Sequence, residues 1–328
     1  MKKIINNAEN VVSEMLKGLY KSCEYISYIP DAEVIFRKDL KNKVSLISGG
    51  GSGHEPSHAG YVGTGMLDAA VCGNVFASPS PDRIIKAIES VNMGQGVLLI
   101  IKNYSGDIMN FEMAMDLAKD MGIEIDSVIV KDDVSVEDST YSTGRRGIAG
   151  TVFVHKIAGA KAEKLSALSE VKRVAEKVIS NVRSMGVALN SCILPGVGKP
   201  VFEIDDNEIE IGMGIHGEPG IHRTHKLTSR QIAENLTSSI LNDYDYSNSE
   251  VALLVNGLGG TPLMELYILN NDINDILIYH GIKVYKTFVG NYMTSLEMAG
   301  CSLSILKLDD ELKELLDYPC KTPGLNIF

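Results

Sequence analysis

Three residues far apart in the chain have the side-chain types that proton transfer on a small polar molecule requires: His54, Asp107 and His216. His54 stands in the most distinctive stretch. Lys43-Val44-Ser45-Leu46-Ile47-Ser48 reads as a buried strand, and Gly49-Gly50-Gly51-Ser52-Gly53 should stop it abruptly before His54-Glu55-Pro56-Ser57-His58. Glycines let backbone N–H groups approach a ligand and adopt positive φ without steric cost. A loop that only held phosphate would need amides and a Lys; this one delivers an imidazole, which points to chemistry on an uncharged polar molecule. The plain alternative is a turn with surface histidines.

Standard motifs do not claim the loop. No Lys-Ser or Lys-Thr follows the glycines, so it is not a P-loop, and Pro56 stands where a dinucleotide fingerprint needs its third Gly. His54-Glu55-Pro56-Ser57-His58 formally matches H-E-x-x-H, but that zinc pattern works only with both His on one helical face. Pro56 and the preceding glycines argue against a continuous helix, so no metal site is expected.

Asp107 follows Lys102-Asn103-Tyr104-Ser105-Gly106 at the end of a strand and the start of a helix. It suits an N-cap, and equally a general base, because ligands of open α/β sheets bind past the carboxyl ends of strands. Lys102 reads as a strand-end residue or a ligand contact. In Glu208-Ile209-Glu210-Ile211-Gly212-Met213-Gly214-Ile215-His216 the alternation puts Glu210, Gly212, Gly214 and His216 on one face of a strand, with the glycines leaving room beside the imidazole. Such a His is either a satisfied polar residue or a catalyst. Arg145-Arg146 and the Gly257–Pro262 loop read as structural features or anion contacts.

The elements that must position these residues alternate strand, loop and helix. Helices are expected at 7–22, 82–91, from about 103 to 121, 151–164, 169–183, 228–241 and from Pro262 to about 280, with Thr261 as N-cap. Strands are expected at 33–37, 44–47, 97–101, 125–130, 187–194, 201–204, 208–216, 251–255, 282–289 and 302–308. This pattern predicts an α/β fold of two α/β domains with mixed, largely parallel sheets flanked by helices. The boundary is expected at a turn over Ser184-Met185-Gly186: 1–184 with the Gly-rich loop, 185–328 with His216.

The 328 residues, 45% hydrophobic and 22% charged, suit a globular protein with a sizeable core. A net charge of −11 argues against nucleic acid or an anionic membrane as partner. Five scattered cysteines without C-x-x-C read as free thiols. The polar N-terminus is no signal peptide, and no run is long enough to span a membrane, so the expected location is cytoplasmic.

Several blocks in register carry a resemblance that covers essentially the whole chain: Gly49–Pro56, Lys102–Asp107, Gly144-Arg145-Arg146-Gly147, Gly198-Lys199-Pro200, Gly214–Gly220, Leu258–Pro262 and Asn291–Leu296. Together they resemble the dihydroxyacetone kinases, and in particular the substrate-binding K subunit of the bacterial phosphotransferase-dependent type (glycerone kinase). The resemblance implies that His216 forms a covalent hemiaminal with the substrate ketone, and that His54 and Asp107 are acid/base residues at the hydroxyl to be phosphorylated. It implies that Gly51, Ser52, Gly53, His54, Lys102 and Asp107 contact dihydroxyacetone, and that the chain forms a homodimer. Gly198-Lys199-Pro200 is no Walker motif. The resemblance places ADP/ATP with Mg on a separate helical L subunit, recharged by an M subunit fed from phosphoenolpyruvate, so that this chain binds no cofactor. Asn74, where the family pattern has an acidic residue, together with Val197 and His222-Arg223-Thr224-His225, departs from the pattern. These departures keep open a non-catalytic, dihydroxyacetone-binding paralogue that acts as co-activator of a transcriptional regulator.

Overall fold

The structure is a computed structural model describing residues 2–137 and 144–328. Apolar, β-branched runs build a first sheet from β1 (Ile26–Ile29), β2 (Val34–Arg37), β3 (Ser45–Ser52), β4 (Ala69–Val75), β5 (Val97–Lys102) and β6 (Ile125–Val130). Its order is β1-β2-β4-β3-β5-β6, with β4, β3, β5 and β6 parallel. A second sheet has the order β11-β10-β12-β7-β8-β9: β7 (Val182–Ala188), β8 (Glu208–Ile211), β9 (His222–His225), β10 (Glu250–Gly257), β11 (Lys283–Gly290) and β12 (Gly300–Leu308). Two mixed sheets flanked by helices are the α/β architecture expected. The parallel pairing is concentrated in the first sheet, since in the second only β10 and β11 run parallel.

The layers follow from which faces are apolar. On one face of the first sheet Ile47, Leu99 and Ile101 meet α2 (Pro81–Val91) and α3 (Ser105–Asp120) through Ile84, Ile88, Phe111 and Ala114. On the other face Leu46, Leu98 and Ile100 share a core with α4 (Thr151–Glu163), α5 (Leu168–Asn181) and the second sheet's Ala252, Leu254 and Leu306. The outer face of the second sheet is covered by α6 (Ser229–Asp243) and α7 (Leu263–Tyr279). Helix α4 therefore lies between the sheets, and twelve of its thirteen residues are buried. Its sequence, Val, Ala, Gly and Ile on every side, is that of a helix with no solvent face.

Four expectations need correction. Ser184-Met185-Gly186 is not a turn: it lies inside β7, paired with Ser304, Leu303 and Ser302 of β12. Ser184 also exchanges backbone hydrogen bonds with Asp132 and Val134, so a boundary between 184 and 185 would cut a strand that ties both halves together. The strand expected over 208–216 ends at Ile211, because Gly212 has φ +81° and turns the chain, and no strand forms at 201–204. Helix α7 begins at Leu263, one residue later than expected; Thr261 Oγ1 is engaged with the backbone of Gly300 instead of capping the helix. Strands β1, β4 and β9 and helix α8 (Asp310–Asp317) were not expected, nor was the hairpin of β13 (Cys320–Lys321) and β14 (Asn326–Ile327).

Candidate functional site

The glycine run does not stop β3; the strand continues through Gly49, Gly50 and Gly51 to Ser52, all buried. The glycines are needed because neighbouring backbone comes too close for a side chain. A Cβ on Gly49 would lie 2.4 Å from the Val71 carbonyl, and one on Gly51 2.6 Å from Ala77 N. Gly53, at φ +106°, then turns the chain away. Its N–H is held by the Glu55 carboxylate, and Ser52 Oγ donates to the Gly73 carbonyl. These contacts pack the loop.

What the loop delivers is His54, fully buried. It is gripped by the segment 292–296 of the second half: Thr294 N donates to the His54 carbonyl and Leu296 N to that of Gly53. His54 Nδ1 lies 2.8 Å from the Thr294 carbonyl, which can only accept, so Nδ1 carries the proton and Nε2 keeps the lone pair. The ring stacks on Phe76, 5.2 Å between centroids.

The second imidazole comes from the loop after β8. His216 stands edge-on to three rings at once: His54 at 4.7 Å, Phe76 at 5.3 Å and Tyr104 at 4.6 Å. Glu218 orients it, with Oε1 2.8 Å from His216 Nδ1 and Oε2 accepting from the His216 backbone N–H. Burial pushes the Glu218 carboxyl up, but the hydrogen bond and charge of His216 together with the backbone hydrogen bonds outweigh it and hold it down at about 2, so a carboxylate faces Nδ1 and Nε2 is the nitrogen left free to react. The expectation that glycines clear space beside His216 changes in detail. A Cβ on Gly214 would meet Glu218 Oε2 at 2.2 Å and Arg146 at 2.7 Å, so the space admits the carboxylate and guanidinium that shape the loop. Arg146 also binds Asp133 and the Gly212 carbonyl; it is a structural clamp. Arg145 pairs with Asp243.

Parallel pairing brings the end of β5 beside β3, and this supplies Lys102 and, one turn into α3, Asp107. A Cβ on Gly50 would sit 3.3 Å from Asp107 Oδ2 and 3.5 Å from Lys102 Nζ, so the carboxylate and the ammonium converge on the same point of the glycine strand. Asp107 Oδ1 accepts from Ser78 Oγ instead of capping α3. Lys102 Nζ, Tyr104 OH and His54 Nε2 are buried without a hydrogen-bond partner among the described residues. Burial lowers the Lys102 pKa, opposed by the charges of Asp107, Glu218 and Asp132. The structure thus gathers His54, Lys102, Asp107 and His216 from three separate stretches. Phe76, Ser78, Tyr104, Glu218 and Thr294 also shape the site, although no role was read for them. Glu218, two residues past His216, was the most findable. A cavity of about 560 Å³ borders the same loop through Ser52, Gly53 and Glu55, but none of the four residues lines it. His54 and His58 of the H-E-x-x-H match lie in a turn with separate partners, and no cluster of metal-ligating residues occurs among the described residues. No helix among them is long and apolar enough to cross a membrane.

Burial makes an acid-sensitivity prediction. His54, His58 and His155 titrate below the usual 6.5, first because they are buried and next because Lys102 is near. The unfolded chain then binds more protons than the folded one, so stability is lost as pH falls through the unfolded value. Each imidazole kept neutral removes about 1.4 kcal/mol per pH unit below that point. Asp132 and Asp133, raised by burial, act in the opposite direction, so the comparison must be internal. The drop in denaturation midpoint between about pH 7.5 and 5.5 is expected to shrink in His155→Gln; an unchanged drop would show that His155 is not held neutral.

With this geometry in view, likeness to known proteins is informative. Residues 17–324 match the family model for the Dak1 domain. The chain is 54% identical to the dihydroxyacetone-binding subunit DhaK of PTS-dependent dihydroxyacetone kinase 1 from Listeria innocua, over 98% of this chain and 99% of that protein. The solved structure of a dihydroxyacetone kinase operon co-activator, Dha-DhaQ, superposes with TM-score 0.92 at 37% identity, covering 96% of this chain and 99% of that one. The dihydroxyacetone kinase of C. freundii superposes with TM-score 0.93 at 36% identity, covering 99% of this chain but 60% of its own. A match along nearly the whole length, at this identity, leaves one conclusion: the chain belongs to the Dak1 domain family.

Proposed function

We propose that this chain is the dihydroxyacetone-binding subunit of a phosphoenolpyruvate-dependent dihydroxyacetone kinase. The observation that carries the reading is His216 Nε2, left free by the Glu218–Nδ1 contact, standing against His54 at the ends of β3 and β5 where Lys102 and Asp107 converge. Attack of the Nε2 lone pair on the ketone carbon forms an N–C bond and breaks the C=O π bond; the alkoxide takes a proton from solvent water and becomes a hydroxyl, while the Nδ1 proton leaves through the Glu218 carboxylate to solvent, so that no net proton is consumed. A hemiaminal fixes the three-carbon chain and selects carbonyl compounds over glycerol, which cannot form it.

The substrate's terminal hydroxyl then faces Asp107 and His54, whose carboxylate and Nε2 lone pair can accept its proton as the oxygen attacks a phosphoryl group, giving dihydroxyacetone phosphate. Lys102 adds positive charge where negative charge moves. ADP/ATP with Mg belongs to the partner L subunit, recharged by M, and this chain contributes the acceptor side of the reaction as a cytoplasmic homodimer.

The structural likeness to the operon co-activator favours a second reading, in which the chain binds dihydroxyacetone and signals through a transcriptional regulator. Reconstitution separates the two. With purified L and M subunits, dihydroxyacetone and phosphoenolpyruvate, the first reading expects dihydroxyacetone phosphate at the expense of phosphoenolpyruvate. Intact ligand binding without turnover, together with binding to a regulator, would establish the second.

A further inference from the structure

Two buried imidazoles, His58 and His155, have no part in the chemistry above. His58 lies four residues beyond His54 and His155 in the middle of α4; both are essentially inaccessible. His58 Nδ1 is 2.9 Å from His155 Nε2, and the rings meet edge to face. Between two neutral imidazoles one nitrogen must donate and the other accept, so the tautomers are coupled. If His58 Nδ1–H donates, His155 Nε2 accepts and His155 carries its proton on Nδ1. If His155 Nε2–H donates, His58 carries its proton on Nε2. Both rings are therefore Nδ1–H or both are Nε2–H.

Ser48 breaks the tie. Its Oγ donates to the Ile100 carbonyl at 2.7 Å, so its single proton is used, and its oxygen can only accept from His58 Nδ1, 3.4 Å away. A lone pair on Nδ1 would face an oxygen lone pair, and a proton there would bridge Ser48 and His155. The pair is thus set in the Nδ1–H form, which leaves His58 Nε2 as a buried lone pair with no partner among the described residues. Ser48 and Ile100 are register partners on the face of the first sheet turned to α4, and Lys102 lies two residues beyond Ile100 on that same face. Lys102 Nζ has no hydrogen-bond partner among the described residues either, and its charge acts on both imidazoles.

We propose that Ser48, His58 and His155 form a tautomer-locked relay that ties α4 to β3 and, through the Ser48–Ile100 hydrogen bond, to the end of β5, making His58 and His155 positioning residues for the strand end that carries Lys102. The part played by Lys102 rests on the function proposed above; the tautomer lock does not.

The first test is long-range ¹H–¹⁵N correlation on ¹⁵N-histidine-labelled protein, with His58 and His155 assigned from single variants. Both rings should be neutral and Nδ1-protonated between about pH 6 and 8. In Ser48→Ala the lock should loosen into a mixture of the two coupled tautomers. An imidazolium at either position in that range, or Nε2–H rings in the unsubstituted protein, overturns the lock. The second test is kinetic, in the reconstituted kinase. His155→Leu removes the acceptor for His58 Nδ1–H and is expected to lower turnover about tenfold with dihydroxyacetone still bound. His155→Gln supplies an amide oxygen and should restore most of the loss. Equal rates in Leu and Gln variants overturn the positioning role, whereas a kinase that never turns over in its unsubstituted form refutes the proposed function and leaves the spectrum to decide the lock.

Discussion

Replacing His216 by alanine is expected to abolish the covalent capture of dihydroxyacetone proposed above. With ¹³C-labelled ketone, the unsubstituted protein should show a protein-bound carbon shifted from the carbonyl to the tetrahedral range, and His216→Ala should show none. The expectation is total loss because the nitrogen that forms the bond is gone and the neighbouring imidazole cannot replace it. His54 is buried behind the Phe76 stack and fixed by the Thr294 carbonyl. The fold should survive, since His216 sits in a loop, retains about a fifth of its side-chain exposure (18%) and hydrogen-bonds only to Glu218 among the described residues. A tetrahedral adduct that persists in His216→Ala would remove this residue from the chemistry and, with it, the proposed mode of substrate recognition.

Asp107→Asn separates capture from transfer. The amide keeps the shape of the carboxylate and can still accept from Ser78, so the first turn of α3 should hold, and the hemiaminal on His216 should form as before. Phosphoryl transfer should slow by about a hundred- to ten-thousand-fold, the usual contribution of a general base. Steady-state turnover with the L and M subunits measures this, with the ¹³C adduct as the control for binding. Near-normal turnover would remove Asp107 as the base and leave His54 Nε2 as the proton acceptor. Loss of the adduct together with turnover would instead give Asp107 a role in holding the ligand. The convergence of Asp107 Oδ2 and Lys102 Nζ beside Gly50 makes slowed transfer with an intact adduct the expected outcome, because carboxylate and ammonium there face the same point.

Some parts of the molecule were legible in local pattern. Val97–Ile101 reads as a strand because five consecutive apolar residues mark a buried one, and 228–241 reads as a helix, which α6 bears out with a Thr228–Gln231 capping box at its start. Both signals are complete within a few residues. Glycine was harder to read, since its two uses look the same in sequence. In Gly49–Gly51 it serves close strand packing inside β3, and only the positions of Val71 and Ala77 reveal this. At Gly212 it ends a strand whose alternation, read alone, continues to His216. Strands β1 and β9 were missed because each is a short sheet-edge strand, and β9 is polar, held in place by its partner; β4, an inner strand, was missed because its small Ala and Gly residues carry little apolar pattern of their own.

The chain by itself determined which residues have reactive chemistry, that they follow strand ends, and that the fold is α/β, because side-chain type and hydrophobic period are local properties. Tertiary structure decided the rest. It brought Glu218, Phe76 and Tyr104 around His216, used Thr294 to set the His54 tautomer, laid β7 across the expected boundary, and closed Ser48, His58 and His155 into one buried set. These are contacts between residues up to 240 positions apart. They depend on two sheets closing over α4, and a reading window a few residues wide does not contain the free energy that closes them.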